Sequence, residues 1–389
     1  MIWGMIIMCL FLLVWGLYFS KKFIVAPYII TPFIWLVCFI LWVILNHDLP
    51  TPSNNFFICI TIWICGFTIS SMFTDSLSTR LSSSKKEPSK LVRDIFLLLC
   101  VITTLFFLAW SFESLRMDVD MPWALKLRYA SLGMKDGKIY GGLQVFLWQV
   151  TYLIELYYYD KKKWYRTAIP ATSYLLYSFL TMSKAGFLNI FIMSVSLLIL
   201  KNGNSIIKKF FPYIILLIVV FFTLQTLRIG SQSSKNDTVI LYALSSIVAF
   251  DTLEPYSAQY TAENTGVFFY RMANKLGLSD IPPKKPILPF IEKPIITNTY
   301  TVLYPFYVDF GRVGIAVFAV ILGLLAGLFF GKSKHGYPAY SILYSYLTTV
   351  VIMQYAAETF LTNLSGHIMF VFLLSIPFIF GKKVQDTDD

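Results

Sequence analysis

Apolar runs of roughly 20 residues, the length that carries an α-helix across a bilayer, recur along this chain at short intervals. Runs at 1–20, 23–46, 56–72, 91–112, 141–159, 167–182, 185–200, 210–227, 313–331, 339–355 and 368–380 predict about eleven transmembrane helices. Short polar breaks separate many of them, among them Lys21-Lys22, Asp160-Lys161-Lys162-Lys163 and Lys332-Ser333-Lys334. The first run has no basic residue before it and two lysines after it, the reverse of a secretory signal's charge order, so it reads as a retained helix. The expected fold is all-α and polytopic, a single membrane domain over 1–389. Two longer polar segments interrupt it, 113–140 and 228–312, the second between spans 8 and 9.

Short cytoplasmic loops collect Lys and Arg. Placing Lys382 and Lys383 inside also places Lys21, Lys22, Arg80, Lys85, Lys86, Lys90, Arg93, Lys161, Lys162, Lys163, Arg166, Lys201, Lys208, Lys209, Lys332 and Lys334 inside, more than half of the 32 basic residues. This predicts an outside N-terminus, an inside C-terminus and two outside long segments. Arg116, Arg128, Arg228, Arg271 and Arg312 fall outside. A planar guanidinium grips phosphate bidentately, which suits an anion site; snorkelling to lipid headgroups accounts for the same placement equally well.

Within the first outside segment, residues 121–134 predict a helix lying in the interface, opened by Pro122 and closed by Gly133. In the second, the apolar run from Val239 to Phe250 is too short to span and reads as re-entrant or interfacial, delivering Asp251 and Glu254 to the membrane surface. Glu263, Arg271 and Lys275 follow, then a Pro-rich connector at 281–286, and Asn298 to Tyr304 leads into the next span. A loop of this length with its own apolar and ionisable content reads as a site rather than a linker.

Composition narrows the class. Hydrophobic residues make up 57% of the chain and charged ones 14%, against about 25% charged in soluble domains. The net charge of +11 reports orientation and lipid contact, since no nucleic-acid motif accompanies it. The cysteines, Cys9, Cys38, Cys59, Cys65 and Cys100, lack metal or redox spacing, so no disulfide framework is expected. His47, His335 and His367 fall in different loops on both sides, which supports no metal cluster. A Walker A motif, a GxSxG elbow and a dinucleotide fingerprint are all absent, which argues against an ATP-driven pump and a serine hydrolase. Acidic residues inside the spans are scarce, with Glu155 near an inside end, and the two halves do not echo each other. Both points weaken a proton-coupled or repeat-built transporter.

Three stretches in order resemble a known family. Thr181-Met182-Ser183-Lys184-Ala185-Gly186 looks like a short outside Gly-Ser-Arg turn, with Lys184 where Arg is usual. Val248-Ala249-Phe250-Asp251, followed by Gly266 and Lys275-Leu276-Gly277, is similar to a large periplasmic loop. Asn298-Thr299-Tyr300-Thr301 with Tyr307-Val308-Asp309-Phe310-Gly311-Arg312-Val313-Gly314 resembles the re-entry into the membrane. The family is the Wzy family of bacterial O-antigen, or oligosaccharide repeat-unit, polymerases. Its longer Arg-to-Gly loop motifs are not cleanly present here, which leaves open which arginines matter.

The resemblance implies a glycosyltransferase of the bacterial inner membrane, working at the periplasmic face on undecaprenyl-pyrophosphate-linked glycans, without cofactor or metal. Membrane lipid is the expected surroundings, and a chain-length regulator protein an optional partner. A departing lipid pyrophosphate calls for fixed cations near the membrane surface: Arg128, Lys184, Arg228, Arg271 and Arg312, with Arg228 and Arg312 foremost because each borders a span. A weakly nucleophilic acceptor hydroxyl calls for a base, for which Asp251, Glu254 and His367 are the candidates, followed by Glu263, Asp309 and Glu358. Asp309 reads either as a base or as a structural partner of Arg312. Tyr300 and Tyr304 read either as sugar-stacking rings or as part of an interfacial aromatic belt. An O-antigen ligase, or a flippase or transporter for lipid-linked oligosaccharide, are the competing readings.

Overall fold

The computed structural model describes residues 1–20, 23–78, 86–116, 121–133, 142–208, 212–213, 219, 223, 235–282, 284, 288–292 and 295–383. Among them thirteen α-helices carry the chain: α1 (Ile2–Ser20), α2 (Pro27–Ile44), α3 (Asn54–Ser78), α4 (Lys90–Leu115), α5 (Trp123–Ser131), α6 (Gly142–Tyr157), α7 (Tyr165–Leu180), α8 (Lys184–Asn202), α9 (Lys235–Phe250), α10 (Val267–Lys275), α11 (Tyr304–Lys334), α12 (Pro338–Met353) and α13 (Leu364–Ile379). The described β-structure is a two-residue antiparallel ladder, Lys86–Glu87 with Lys382–Lys383, and a bridge between Ile291 and Thr297.

A helix occupies each expected apolar run except 210–227, which lies almost wholly outside the described residues. Six helices, α1, α2, α3, α4, α8 and α11, are long and apolar enough to cross a bilayer. The protein is an all-α membrane protein. The other apolar helices, α6, α7, α12 and α13, have 16 residues each, or about 24 Å, short of the ~30 Å hydrocarbon core. The expected 121–134 segment does form a helix, shorter than expected and ending at Ser131, with Pro122 at its N-cap and Gly133 in the left-handed region.

The chain divides into two compact units. The first comprises Met1–Leu81, Ser234–His335 and Leu347–Ser365; the second comprises Ser82–Ser233, Gly336–Tyr346 and Gly366–Asp389. In the first, α3 and α11 lie along each other through small residues. Gly323, Gly327 and Gly331 face Ser70, Ser71 and Ser78, and a Cβ at Gly327 would stand 2.1 Å from the Ser71 carbonyl oxygen. Such residues let apolar helices meet backbone to backbone. Gln354, buried beside them, accepts from Trp63 Nε1 at 2.8 Å and donates to Thr31 Oγ1 at 3.0 Å, tying α2 and α3 together. At the far end of α3 the buried Asp75 accepts from Tyr28 Oη at 3.0 Å and pairs with Lys334 Nζ at 2.5 Å.

In the second unit, two arginines close on one buried carboxylate. Glu155 of α6 accepts from Arg93 of α4 (2.9 and 2.6 Å) and from Arg166 of α7 (2.8 and 3.1 Å), and Arg166 also reaches Asp94 at 2.5 Å. Charge-assisted forks of this kind fix geometry as well as adding energy. Further along the same two helices Thr104 Oγ1 donates to Ser173 Oγ at 2.7 Å.

Candidate active site

The start of α3 brings together two charged residues of the first unit. Thr51-Pro52-Ser53 ends a polar linker, and Ser53 caps the helix: its Oγ accepts from Phe56 N at 3.1 Å and its carbonyl from Phe57 N at 3.2 Å. Asp251, at the end of α9, accepts from Ser53 N at 2.8 Å and from Ser53 Oγ at 2.5 Å. Two residues on, Asn55 Oδ1 accepts from Arg312 Nε at 3.0 Å and Nη2 at 2.8 Å, while its Nδ2 donates to Tyr307 Oη at 2.7 Å. Asp251 and Arg312 are therefore held over one helical turn, both exposed, each anchored to neutral groups. No ion pair joins them among the described residues.

The local sequence explains both positions. The last two turns of α9, from Leu244 to Phe250, are buried throughout, and the Phe250 ring packs on Phe56 (5.5 Å) and Tyr307 (4.8 Å). The next residue, Asp251, is thereby set against Ser53. Arg312 is aimed by a break in α11. Gly311 has φ 61° and ψ −148°, and a Cβ there would stand 2.8 Å from the Tyr256 ring, so only glycine fits. A helix broken in this way presents a fresh N-terminal turn to whatever lies above it.

Asp309 does not pair with Arg312. Its carboxylate instead accepts from Asn264 N (3.2 and 3.1 Å), Asn264 Nδ2 (2.7 Å), Thr265 N (2.7 Å) and Thr265 Oγ1 (2.8 Å). A buried carboxylate with four donors around it, one of them shared between its two oxygens, organises a turn. The Asp309 carboxylate is committed to the loop, and the residue is 8% exposed. Asp309 is thus the clasp that holds the 251–300 loop onto α11.

The same loop settles the other expectations in the first unit. Tyr300 and Tyr304, read as sugar-binding rings or as part of an aromatic belt, are 3% and 9% exposed and pack on each other, tilted by 41° with centroids 4.9 Å apart, in one cluster with Ala249 and Val308. Rings so covered have no face for a sugar; they are the loop's core. Burial also pushes the Tyr300 phenol above its ordinary value. Glu263 accepts from Gln259 N at 3.0 Å and pairs with Lys284 at 3.4 Å, and Arg271 donates to the Lys284 carbonyl at 3.2 Å, so both stitch the loop. Glu254 is exposed, and its carboxylate has no partner among the described residues. Glu358 is buried and accepts from Leu361 N (2.8 Å) and Thr362 N (3.0 Å); burial raises its carboxyl above the ordinary range, against the opposing pull of these N–H groups.

The remaining candidates belong to the second unit. Arg128 of α5 donates to the Thr181 carbonyl at 3.4 Å, and Ala124 packs on Met182 and Phe187, so α5 sits on the turn between α7 and α8. Ser183 caps α8, accepting from Gly186 N at 3.3 Å, and Lys184 is the first residue of that helix. The structure thus joins Arg128 to the Thr181–Lys184 turn, two elements that the sequence alone left unrelated. His367 shares a hydrogen bond with Tyr346 Oη through Nδ1 at 2.8 Å. Arg228 lies outside the described residues, as do Lys21, Lys22, Arg80 and Lys85.

Ser53 and Asn55, which hold Asp251 and Arg312, are residues of the candidate site that sequence reading missed. Their signal was an N-cap serine ahead of an apolar run. Among the described residues no three His, Cys, Asp or Glu side chains come together to hold a metal ion, and the five cysteines are free thiols. Comparison with protein-family models, with functionally curated proteins and with solved structures finds no match to this chain.

Proposed function

We propose that this chain is a glycosyltransferase of the bacterial inner membrane that polymerises undecaprenyl-pyrophosphate-linked oligosaccharide repeat units at the periplasmic face, with its N-terminus outside, its C-terminus inside and about eleven spans. The observation that carries the reading is the placement of Asp251 and Arg312 over the first turn of α3. An exposed base and an exposed guanidinium are held side by side without neutralising each other. Resemblance of the 248–251 and 307–314 stretches to the polymerase family supports the same reading.

In this reaction the acceptor hydroxyl oxygen attacks C1 of the sugar at the reducing end of the growing glycan. The C1–O bond to the pyrophosphate breaks, and its electron pair leaves with the pyrophosphate. Asp251, each of whose two oxygens accepts one bond from Ser53, takes the hydroxyl proton on a remaining lone pair of its exposed carboxylate. Arg312 faces the oxyanion as its charge grows, its side chain preset by Asn55. The hydrocarbon tail of the leaving group stays in the bilayer.

The test is the surface-glycan ladder of a strain lacking this gene and of the same strain with the gene restored. Collapse to core plus one repeat, reversed by the wild-type gene and not by Arg312→Ala at equal protein level, is the expected outcome. An unchanged ladder would sink the proposal, and glycan lost from core but retained on its carrier would identify a ligase.

A further inference from the structure

The second unit carries two recesses that share helices α4 and α7, the first of them closed also by Glu155 of α6 and by Tyr158 just beyond it. One is a cavity of about 250 Å³ lined by Lys90, Arg93, Glu155, Tyr158, Lys163 and Arg166, together with Asp160 and Thr167. Four basic side chains face two acidic ones there. Glu155 is consumed by the two arginine forks, and Asp160 caps the turn at Lys161–Lys163, accepting from Lys162 N at 2.9 Å. Lys90 and Lys163 are exposed and are in no ion pair among the described residues. The Tyr158 hydroxyl is buried without a hydrogen-bond partner, although a buried hydroxyl ordinarily has one. Arg93 lies over the Tyr158 ring at 5.1 Å, which fixes that ring in place.

The other recess, about 390 Å³, is lined by Val101, Thr104 and Leu105 of α4 and by Ala168, Ile169 and Thr172 of α7, with Trp164 and Tyr165 at its lip. The helices run the same way, touching first at Asp94 and Arg166 and then at Thr104 and Ser173. Ten residues of helix separate these contacts on α4, or about 15 Å. Trp164 and Tyr165, 62% and 44% exposed, stand at the charged end, where amphipathic rings mark the water–hydrocarbon boundary. A basic pocket at that boundary and an apolar groove running inward from it have the layout of a lipid: charged head, then chain.

We propose that the two recesses form one site for a phosphate-headed lipid, its phosphate held by Lys90, Lys163 and Arg93 with the Tyr158 hydroxyl as donor, and one hydrocarbon chain lying between α4 and α7. The Arg93–Glu155–Arg166 clamp keeps the pocket open and positive before the ligand arrives. Free inorganic phosphate shares the head chemistry but makes no use of the groove.

The full-length protein, purified in detergent and loaded with phosphatidylglycerol or phosphatidylcholine, tests this by native mass spectrometry. Wild type is expected to retain phosphatidylglycerol at least about tenfold better than phosphatidylcholine. Lys90→Ala with Lys163→Ala is expected to lose that preference at an unchanged melting temperature, because both side chains are exposed. Thr172→Trp, which fills the groove, is expected to lose the lipid while inorganic phosphate still shifts the melting temperature. Equal retention of the two lipids, or full retention by the double lysine variant, overturns the proposal. Loss of phosphatidylglycerol to millimolar inorganic phosphate, with Thr172→Trp behaving as wild type, overturns it in favour of a free-anion site.

Discussion

The two ends of α3 pose the same problem and solve it in opposite ways. Each end brings one acid of the first unit near one base of α11: Asp251 and Arg312 at the start, Asp75 and Lys334 at the finish. At the finish the charges meet at 2.5 Å, the acid is fully buried, and Tyr28 takes its second oxygen. At the start they are kept apart by Ser53 and Asn55, and both stay in water. A sealed pair holds helices in register, and its charges are spent on each other. Charges parked on neutral groups remain available to a substrate. The difference separates the lock of the bundle from its candidate chemistry.

Breaking the lock should give the largest effect. Asp75→Ala leaves Lys334 without its partner and the buried Tyr28 hydroxyl without its acceptor, a loss of about 3–5 kcal/mol by the measure of broken buried pairs. Thermal unfolding in detergent reads it, and a melting temperature within a degree of wild type would show that the pair is not a lock. At the other end the order reverses. Arg312→Ala and Asp251→Asn should each slow repeat-unit transfer by roughly 100-fold or more and leave the melting temperature nearly unchanged, since both side chains are exposed. A variant that melts early and transfers normally would exchange the two roles. Gly311→Ala comes next: its positive φ alone costs about 1–2 kcal/mol, and displacement of the Tyr256 ring turns Arg312 away from Asn55. It should lower both melting temperature and transfer, whereas a variant affected in one alone would separate the kink from the site.

The contrast between the two ends was half legible in the sequence. Apolar periodicity located the helices because a bilayer admits few alternatives, and Asp251 stood out as the first charge after an apolar run. Asp75 did not stand out: it closes a long apolar helix, and its partners Tyr28 and Lys334 lie 47 and 259 positions away in the chain. The same distance in sequence hid the Asp309 clasp, since its donors sit at 264–265. Pairing with Arg312 was one of two readings open for Asp309, and the two residues do stand three apart in the chain. Gly311 breaks α11 between them and sends the two side chains to different partners. Tyr300 and Tyr304 misled for a related reason: an aromatic residue beside a span looks the same in sequence whether it faces sugar, lipid or its own loop.

Glu358 supplies the smallest effect and the sharpest control, because it is an acid of the same unit that is buried like Asp75 but has no cation beside it among the described residues. Burial raises its carboxyl above the ordinary range, so the fold binds a proton there that the unfolded chain releases sooner. The contribution is therefore fully present below the ordinary value of about 4.5 and is lost as pH rises through the higher value in the fold. Glu358→Gln is neutral at every pH and retains one oxygen for the Leu361 or Thr362 N–H, at a cost of about 1 kcal/mol for the N–H left over. Melting curves taken from pH 4.5 to 8 should fall more steeply for wild type than for the variant, the two lines converging toward neutral pH. Parallel lines would mean that the two backbone N–H groups outweigh burial and keep Glu358 ionised throughout, and that the cation beside Asp75 is not what distinguishes a lock from a bare buried acid.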